Sequence, residues 1–544
     1  MKPELKGDSM RLLTGLFLAC ILPAGLRADE GHHHTLTEQE IGSVHFSTSC
    51  SKDVTGSFNG AIALLHSFQY EQAREAFVEV ASKDPHCAMA YWGIAMSHYH
   101  GLWGSGDWNA GRDALRKAAD VASSNSNTSA HDRAFISALE EIYREDGQDK
   151  AAHAHAFEQK MGEVQAAYPD DNEAAILHAL TLAITAPKTD KTFSNQRKCG
   201  EILEPIFAKQ PQHPGVAHYI IHCYDNPVLA EKGLGAARMY AKIAPASAHA
   251  NHMPSHLFTR VGSWDESIAS NIRSAQLAAD AEATSKNGEA RDQRLHAMDY
   301  LEYAYLQSGR VKLANAVWQD MNSLSKGDGM TLTGNYALSA IPARYLMELG
   351  KWKEASQLKP IPSAVPWAQA ITWMAVGVGS ARAGDPERAT QASTTLGSLR
   401  DDASKTSAYW SKQIEVQRRE VEACIAEQAG KHADALQMMH SAADLEESMD
   451  KDAVTPGAVI PARELLADLL RPTQPREALA EYEAVLKVAP NRFNALYGAA
   501  ISAEASGNTP LATRYFQKLT EISVGEERPE LVTARKKIAV TAQK

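Results

Sequence analysis

Two segments near opposite ends of the chain share one internal spacing. In Y-E-Q-A-R-E-A-F-V-E-V-A-S-K-D-P (70–85), Ala73, Phe77 and Pro85 are four and then eight residues apart. In P-R-E-A-L-A-E-Y-E-A-V-L-K-V-A-P (475–490), Ala478, Tyr482 and Pro490 repeat that spacing, and Ala512 and Phe516 lie 34 residues after Ala478 and Tyr482. A small residue followed one helical turn later by an aromatic one lets two helices approach closely, and the proline ends the second helix. Turns of matching type stand at V-G-S-W-D-E-S (261–267), Q-S-G-R-V-K-L-A (307–314), E-L-G-K-W-K-E-A (348–355) and A-R-A-G-D-P-E-R-A (381–389). A chain built this way must stack helix pairs, because one pair cannot bury its apolar faces alone.

This 34-residue unit resembles the tetratricopeptide repeat, a helix–turn–helix module. The resemblance implies an all-α fold, a right-handed α-solenoid of about ten helix pairs, and the sequence shows helical periodicity without a convincing strand pattern. The expected organisation is a signal peptide at 1–28 and a flexible segment at 29–53, followed by repeat arrays at 54–330 and 331–544. Loop-like interruptions are expected at 101–111 and 359–366, with a polar linker at 122–130.

The first residues read as an export signal. Lys2, Lys6 and Arg11 precede the apolar run 12–26, which is too short and too interrupted by Pro and Gly for a membrane span. Cleavage is expected after Ala28, giving a periplasmic or secreted chain with no transmembrane span; Met10 is an alternative start. A lipid anchor through Cys20 is the weaker reading, because Phe17 stands where such signals prefer Leu. Beyond the signal, Cys50, Cys87, Cys199, Cys223 and Cys424 are few, scattered and odd in number, so a disulfide scaffold is not expected, although an oxidising compartment allows one pair, with its partners open. The net charge of −11 and the absence of a basic run or glycine-rich phosphate loop argue against nucleic acid as a partner.

Chemistry is concentrated in two stretches, H-P-G-V-A-H-Y-I-I-H-C-Y-D-N-P (213–227) and A-H-A-N-H-M-P-S-H (248–256). Pro214 suits a first helical turn and Asn226-Pro227 a helix end. His218, His222 and Asp225 then share one helix face, opposite a core stripe of Val216, Ile220 and Cys223. His252 and His256 follow His218 and His222 by 34 residues each, so the histidine pair recurs at the period of the fold. Pro254 as a first helical residue places His256 in a first turn, where the positive helix end favours the neutral imidazole that a metal ligand needs. His249 precedes that helix and can join the cluster. A third unit, L-H-A-M-D-Y-L-E-Y-A-Y (295–305), adds His296 and Asp299.

In tetratricopeptide repeats the second, fifth, ninth and twelfth positions face the concave groove. The resemblance therefore implies that His296 (second), His218, His252 and Asp299 (fifth), His222 and His256 (ninth) and Asp225 (twelfth) line one groove. It also implies a protein or peptide ligand there. The expected metal ligands are His218, His222, Asp225, His249, His252 and His256, with His296 and Asp299 as ligand-binding neighbours; zinc or copper suits imidazole. The H-E-x-x-H pattern is absent, since Tyr219 and Met253 occupy the glutamate's place. No catalytic residue is assigned. The leading expectation is a binding scaffold. The alternatives are a metal-dependent hydrolase with Asp225 or Asp299 as base and a metal-free peptide scaffold. The runs C-A-M-A-Y-W-G-I-A-M, H-Y-I-I-H-C-Y-D, H-M-P-S-H-L-F and P-N-R-F-N-A-L-Y-G-A-A resemble those of a group of exported bacterial tetratricopeptide-repeat proteins without an established reaction.

Overall fold

The computed structural model describes residues 36–102, 106–147, 149–282, 288–324, 332–362, 364–525 and 527–542. The export signal and the His32–His34 tail lie outside them. Residues 37–544 form one compact unit. Among the described residues there are helices and no β-strand, and no helix is long and apolar enough to cross a membrane.

The repeat spacing is a packing rule in three dimensions. Ala73, Phe77, Ala478 and Tyr482 are fully buried. Phe77 packs on Gly93 and Tyr482 on Gly498, each glycine opening the next pair, and a Cβ at either glycine would meet the ring at 2.3–2.7 Å. Only glycine leaves room for the aromatic knob. The expected turns hold as well. Gly262, Gly309, Gly350 and Gly384 all have positive φ, between 62° and 86°, a conformation that glycine adopts without strain.

Among the described residues there are twelve helix pairs, where about ten were expected. The difference arises where loops were expected. The helix Trp108–Ser124 begins inside the 101–111 interruption and runs into the 122–130 linker, and Asp107 caps it by accepting from the Ala110 amide. The segment at 36–53, expected to be flexible, is packed where the structure describes it: Ile41, Val44 and Phe46 are buried, and the Ser43 amide donates to Gln212 O.

The array does not stay open. The first helix of the first pair, Thr55–His66, packs against that of the fifth, Pro214–Tyr224, so the first five pairs close on themselves. A second closure joins the first helices Glu289–Gln307, Leu332–Glu348, Pro366–Ala383, Ala408–Gln428, Ala462–Leu470 and Phe493–Ala505, the last touching the first. Residues 450–461 and 490–492 bridge the two. The Asp450 amide donates to Lys188 O, Trp264 Nε1 donates to Asn491 O, and Asn491 Nδ2 donates to Gly262 O. The histidine-bearing repeat, 248–281, lies at this junction.

The cysteines also differ from expectation, because two disulfides form, Cys50–Cys87 and Cys199–Cys223. The first ties the N-terminal segment to the second pair and the second links neighbouring helices, with partners 37 and 24 residues apart. Spacing of that kind carries no sequence signal. Cys424 is a buried free thiol.

Candidate metal centre

His218 and His222 project from one face of the Pro214–Tyr224 helix, one turn apart. The second pair stands on two short helices, Ala248–His252 and Pro254–Arg260, joined through Met253, which keeps helical backbone angles. Pro254 thus interrupts the hydrogen-bond ladder without turning His256 away from His252. His249, expected just ahead of this helix, lies within its first segment.

The six imidazoles fall into two triads, His218–His222–His249 and His252–His256–His296, in each of which ligand nitrogens lie within 4.8 Å of one another. In the first, Nε2 of His218 stands 3.0 Å from Nε2 of His222 and 3.0 Å from Nε2 of His249. In the second, Nε2 of His252 and His256 are 3.0 Å apart, and the His296 ring centroid lies 4.3 Å from that of His252. The triads are neighbours: the ring centroids of His222 and His256, and of His249 and His252, are 6.4 Å apart.

The opposite ring nitrogens fix where the protons are. Nδ1 of His218 is 2.6 Å from His66 O, a carbonyl at the end of the Thr55–His66 helix that can only accept. Nδ1 of His252 is 2.7 Å from Asn271 Oδ1; the amide orientation is settled by Asn271 Nδ2, which donates to Ser267 O. Nδ1 of His256 is 2.9 Å from the Asp225 carboxylate. Each of these imidazoles therefore spends its single neutral-state proton at Nδ1, and Nε2 presents a lone pair. The lone pairs of His252 and His256, 3.0 Å apart, repel unless a cation or an added proton lies between them. Burial, reinforced by neighbouring imidazoles, pushes His218, His222, His249, His252 and His296 well below the ordinary histidine range. Burial lowers His256 too, against the pull of Asp225. Added protons are thus disfavoured. Ligand nitrogens about 2.0–2.1 Å from an ion and roughly 90–110° apart stand about 2.9–3.4 Å from each other, so the observed separations suit a shared ion.

The family models agree with the helix packing. A tetratricopeptide-repeat model matches residues 58–127 and 466–525, the stretches that carry the Ala–aromatic–Pro spacing. The chain carries tetratricopeptide repeats. Among solved structures, similar ones include the human IFIT1 dimer with PPP-AAAA (12% identical, covering 86% of this chain and 90% of that one, TM-score 0.37). The human IFIT1 dimer with m7Gppp-AAAA is 11% identical over 80% and 90%, TM-score 0.36, and yeast Tom70 is 13% identical over 90% and 88%, TM-score 0.29. Likenesses this distant carry nothing about a ligand. No curated protein matches the sequence.

In this tetratricopeptide-repeat protein the fifth and ninth positions of consecutive repeats supply four of the six imidazoles. They do not line an open groove. His218, His249, His252, His256 and His296 are at most 6% exposed, and His222 is half-buried. Closure of the array and one aromatic lid account for this. Phe68, held at φ 54°, sets its ring 4.4 Å from that of His218 and 5.5–5.6 Å from those of His222 and His249.

Asp225 and Asp299 were expected to contact a ligand, and neither points into a triad. Asp225 caps the Pro214–Tyr224 helix; its Oδ2 holds His256 Nδ1 and Lys451 Nζ, and its Oδ1 holds Arg260 Nε. Burial acts to raise this carboxyl, but Lys451, Arg260 and His256 keep it well below the usual range. Asp299 lies one turn beyond His296, yet its Oδ1 pairs with Arg344, which also reaches Glu302. It belongs to a buried ion network.

Several participants carried no sequence signal. His66, Phe68, Asn271, Arg260 and Lys451 act through contacts across 19 to 226 residues of chain. His66 and His213 also flank Glu173, with Nε2 atoms 3.0 and 2.8 Å from its two oxygens. His213 Nδ1 accepts from the Val216 amide, capping the helix, so its Nε2 must donate. Burial acts to raise the Glu173 carboxyl, but the two histidines pull it down to about 2. This group is satisfied by its own hydrogen bonds.

Proposed function

We propose that this tetratricopeptide-repeat protein is an exported binding scaffold that holds transition metal in the two histidine triads, one ion in each. The observation that carries the reading is the set of Nδ1 donors spent on His66 O, Asn271 Oδ1 and Asp225 Oδ2, which leaves the Nε2 lone pairs of His252 and His256 converging at 3.0 Å and turns that of His218 towards His222 and His249. Metal-bound histidines are oriented in this way, by a carbonyl or carboxylate on the outer nitrogen. Neutral, nitrogen-only donors favour copper or zinc over magnesium or calcium. The basic and apolar N-terminal sequence supports export to the periplasm or beyond, and two disulfides fit an oxidising compartment. The repeat architecture supports a protein or peptide partner.

A hydrolytic use of the ions loses its expected base, because Asp225 is engaged by three cationic or donor groups and Asp299 by Arg344. Metal analysis of untagged chain purified with zinc or copper tests the reading. Two ions per chain are expected, and their loss in the His218→Ala, His252→Ala double variant. Metal at trace level, or metal that survives both substitutions, would leave a metal-free peptide scaffold.

A further inference from the structure

The second closed ring of helices surrounds a cavity of about 610 Å³, apart from the histidine triads, within the size range of small-molecule sites. One wall is a row of three rings. Tyr336 stacks on Trp367 with centroids 6.3 Å apart, and Trp367 stacks on Trp410 at 4.6 Å. Both tryptophans line the cavity and are half-buried. Trp410, Gln413, Gln417 and Glu420 descend one side of the Ala408–Gln428 helix towards the interior.

At the inner end of that row the chemistry changes. Glu420 lines the cavity and is 2% exposed, and among the described residues no hydrogen bond or ion pair engages its carboxylate. Glu446 lines it too and is held only by the Ala462 amide, at 2.9 Å. Of the cations that line the cavity, Arg463 is committed elsewhere, with Nε 2.5 Å from Glu447 and Nη1 on Glu481, and among the described residues neither Lys191 nor Lys487 pairs with Glu420 or Glu446. Arg260 and Lys451, which also line it, are committed to Asp225. Burial raises both carboxyls, helped by Glu446 at Glu420 and by Glu447 at Glu446, which is pushed up to about 7. A buried carboxyl that lines a cavity without a partner is an unsatisfied polar group, which a structural role does not explain.

We infer that this cavity is a binding site for an organic cation, an ammonium group on an apolar stem, with Glu420 and Glu446 as its counter-ions and Tyr336, Trp367 and Trp410 packing the stem. An ammonium supplies the cation that these carboxylates lack, while the rings pack its apolar stem. Apolar walls at Met374 and Ile371 suit the stem. The cation can be a free amine or a lysine side chain on an extended peptide; the carboxylates and rings would recognise either.

Titration calorimetry on the full chain, with tryptophan fluorescence alongside, tests this. The probes are n-hexylammonium and a capped pentapeptide with one central lysine, set against n-hexanol and the same peptide with norleucine. One cationic probe is expected to bind at least about tenfold more tightly than its neutral counterpart, and Glu420→Gln is expected to remove most of that margin. Binding by hexylammonium alone assigns a free amine; binding by the peptide alone assigns a lysine side chain. No binding of either cation, equal binding of the neutral probes, or an undiminished margin in Glu420→Gln would overturn the inference. Should Glu420→Gln fail to fold, Trp410→Leu at the wall is expected to weaken the cationic probe by a similar factor, and full affinity there would overturn it too.

Discussion

Nδ1 of His256 donates to Oδ2 of Asp225 at 2.9 Å, and the same carboxylate receives Arg260 and Lys451. One acidic side chain therefore orients a histidine of the second triad while neutralising two buried cations from elsewhere in the array. Asp225→Asn keeps the shape but loses the charge. It is expected to lower metal affinity of the second triad about 10- to 100-fold, leaving the first triad near its original affinity. Competition against a chromophoric chelator reads the two sites separately, and an unchanged pair of affinities would remove Asp225 from this role.

Metal binding should also appear as stability. Unfolding separates the triads, since His218 and His249 come from different repeats and His296 from a third. Zinc or copper at about 100 times its dissociation constant is expected to stabilise the fold by about 2.7 kcal/mol per site. A thermal melt with and without chelator measures it. The His218→Ala, His252→Ala chain is expected to melt at the same temperature in both, and a persistent shift would place the ion elsewhere.

What could be read from the sequence was whatever repeats locally. The Ala–aromatic–Pro spacing, the turn glycines at 262, 309, 350 and 384, and the doubled histidine pair follow from helix geometry and a 34-residue period. Ring closure did not follow, because it depends on contacts such as the Phe493 amide with Gln307 Oε1, 186 residues apart, which leave no periodic trace. For the same reason His66, Asn271 and Lys451 stayed hidden, and Asp299 was assigned to the histidines by register although Arg344 claims it. Register gives the face of a helix; the partner that face meets is set by how the array winds.

Arg492 is one such winding contact. Fully buried just ahead of the Phe493–Ala505 helix, it places Nη2 2.6 Å from Glu348 and Nε 2.6 Å from Glu464, joining three of the six inner helices of the second ring. Arg492→Met strands two buried carboxylates. A loss of about 3–5 kcal/mol is expected in urea unfolding, and most of it should return when Glu348→Gln and Glu464→Gln are added. Equal stability of the single variant and the natural chain would mean that this triad does not hold the ring closed.

His131 provides a pH-dependent link in the first ring. Its Nε2 lies 2.8 Å from Asp171, the residue that caps the Asn172–Ile184 helix, and its Nδ1 lies 3.4 Å from Asp132. Hydrogen bonds to Asp132 and Asp171 outweigh burial and raise the imidazole to about 9. A histidine whose pKa is higher folded than unfolded stabilises the fold fully below the unfolded value, near 6.5, and loses that contribution as pH rises through the folded value. The stability difference between the natural chain and His131→Gln is therefore expected to be full at pH 5.5, reduced at pH 8 and small at pH 9.5. Urea unfolding at the three pH values measures it. A difference that stays constant would show that the link acts through packing against Phe135 and Tyr168, whose rings lie 4.9 Å away, and not through charge.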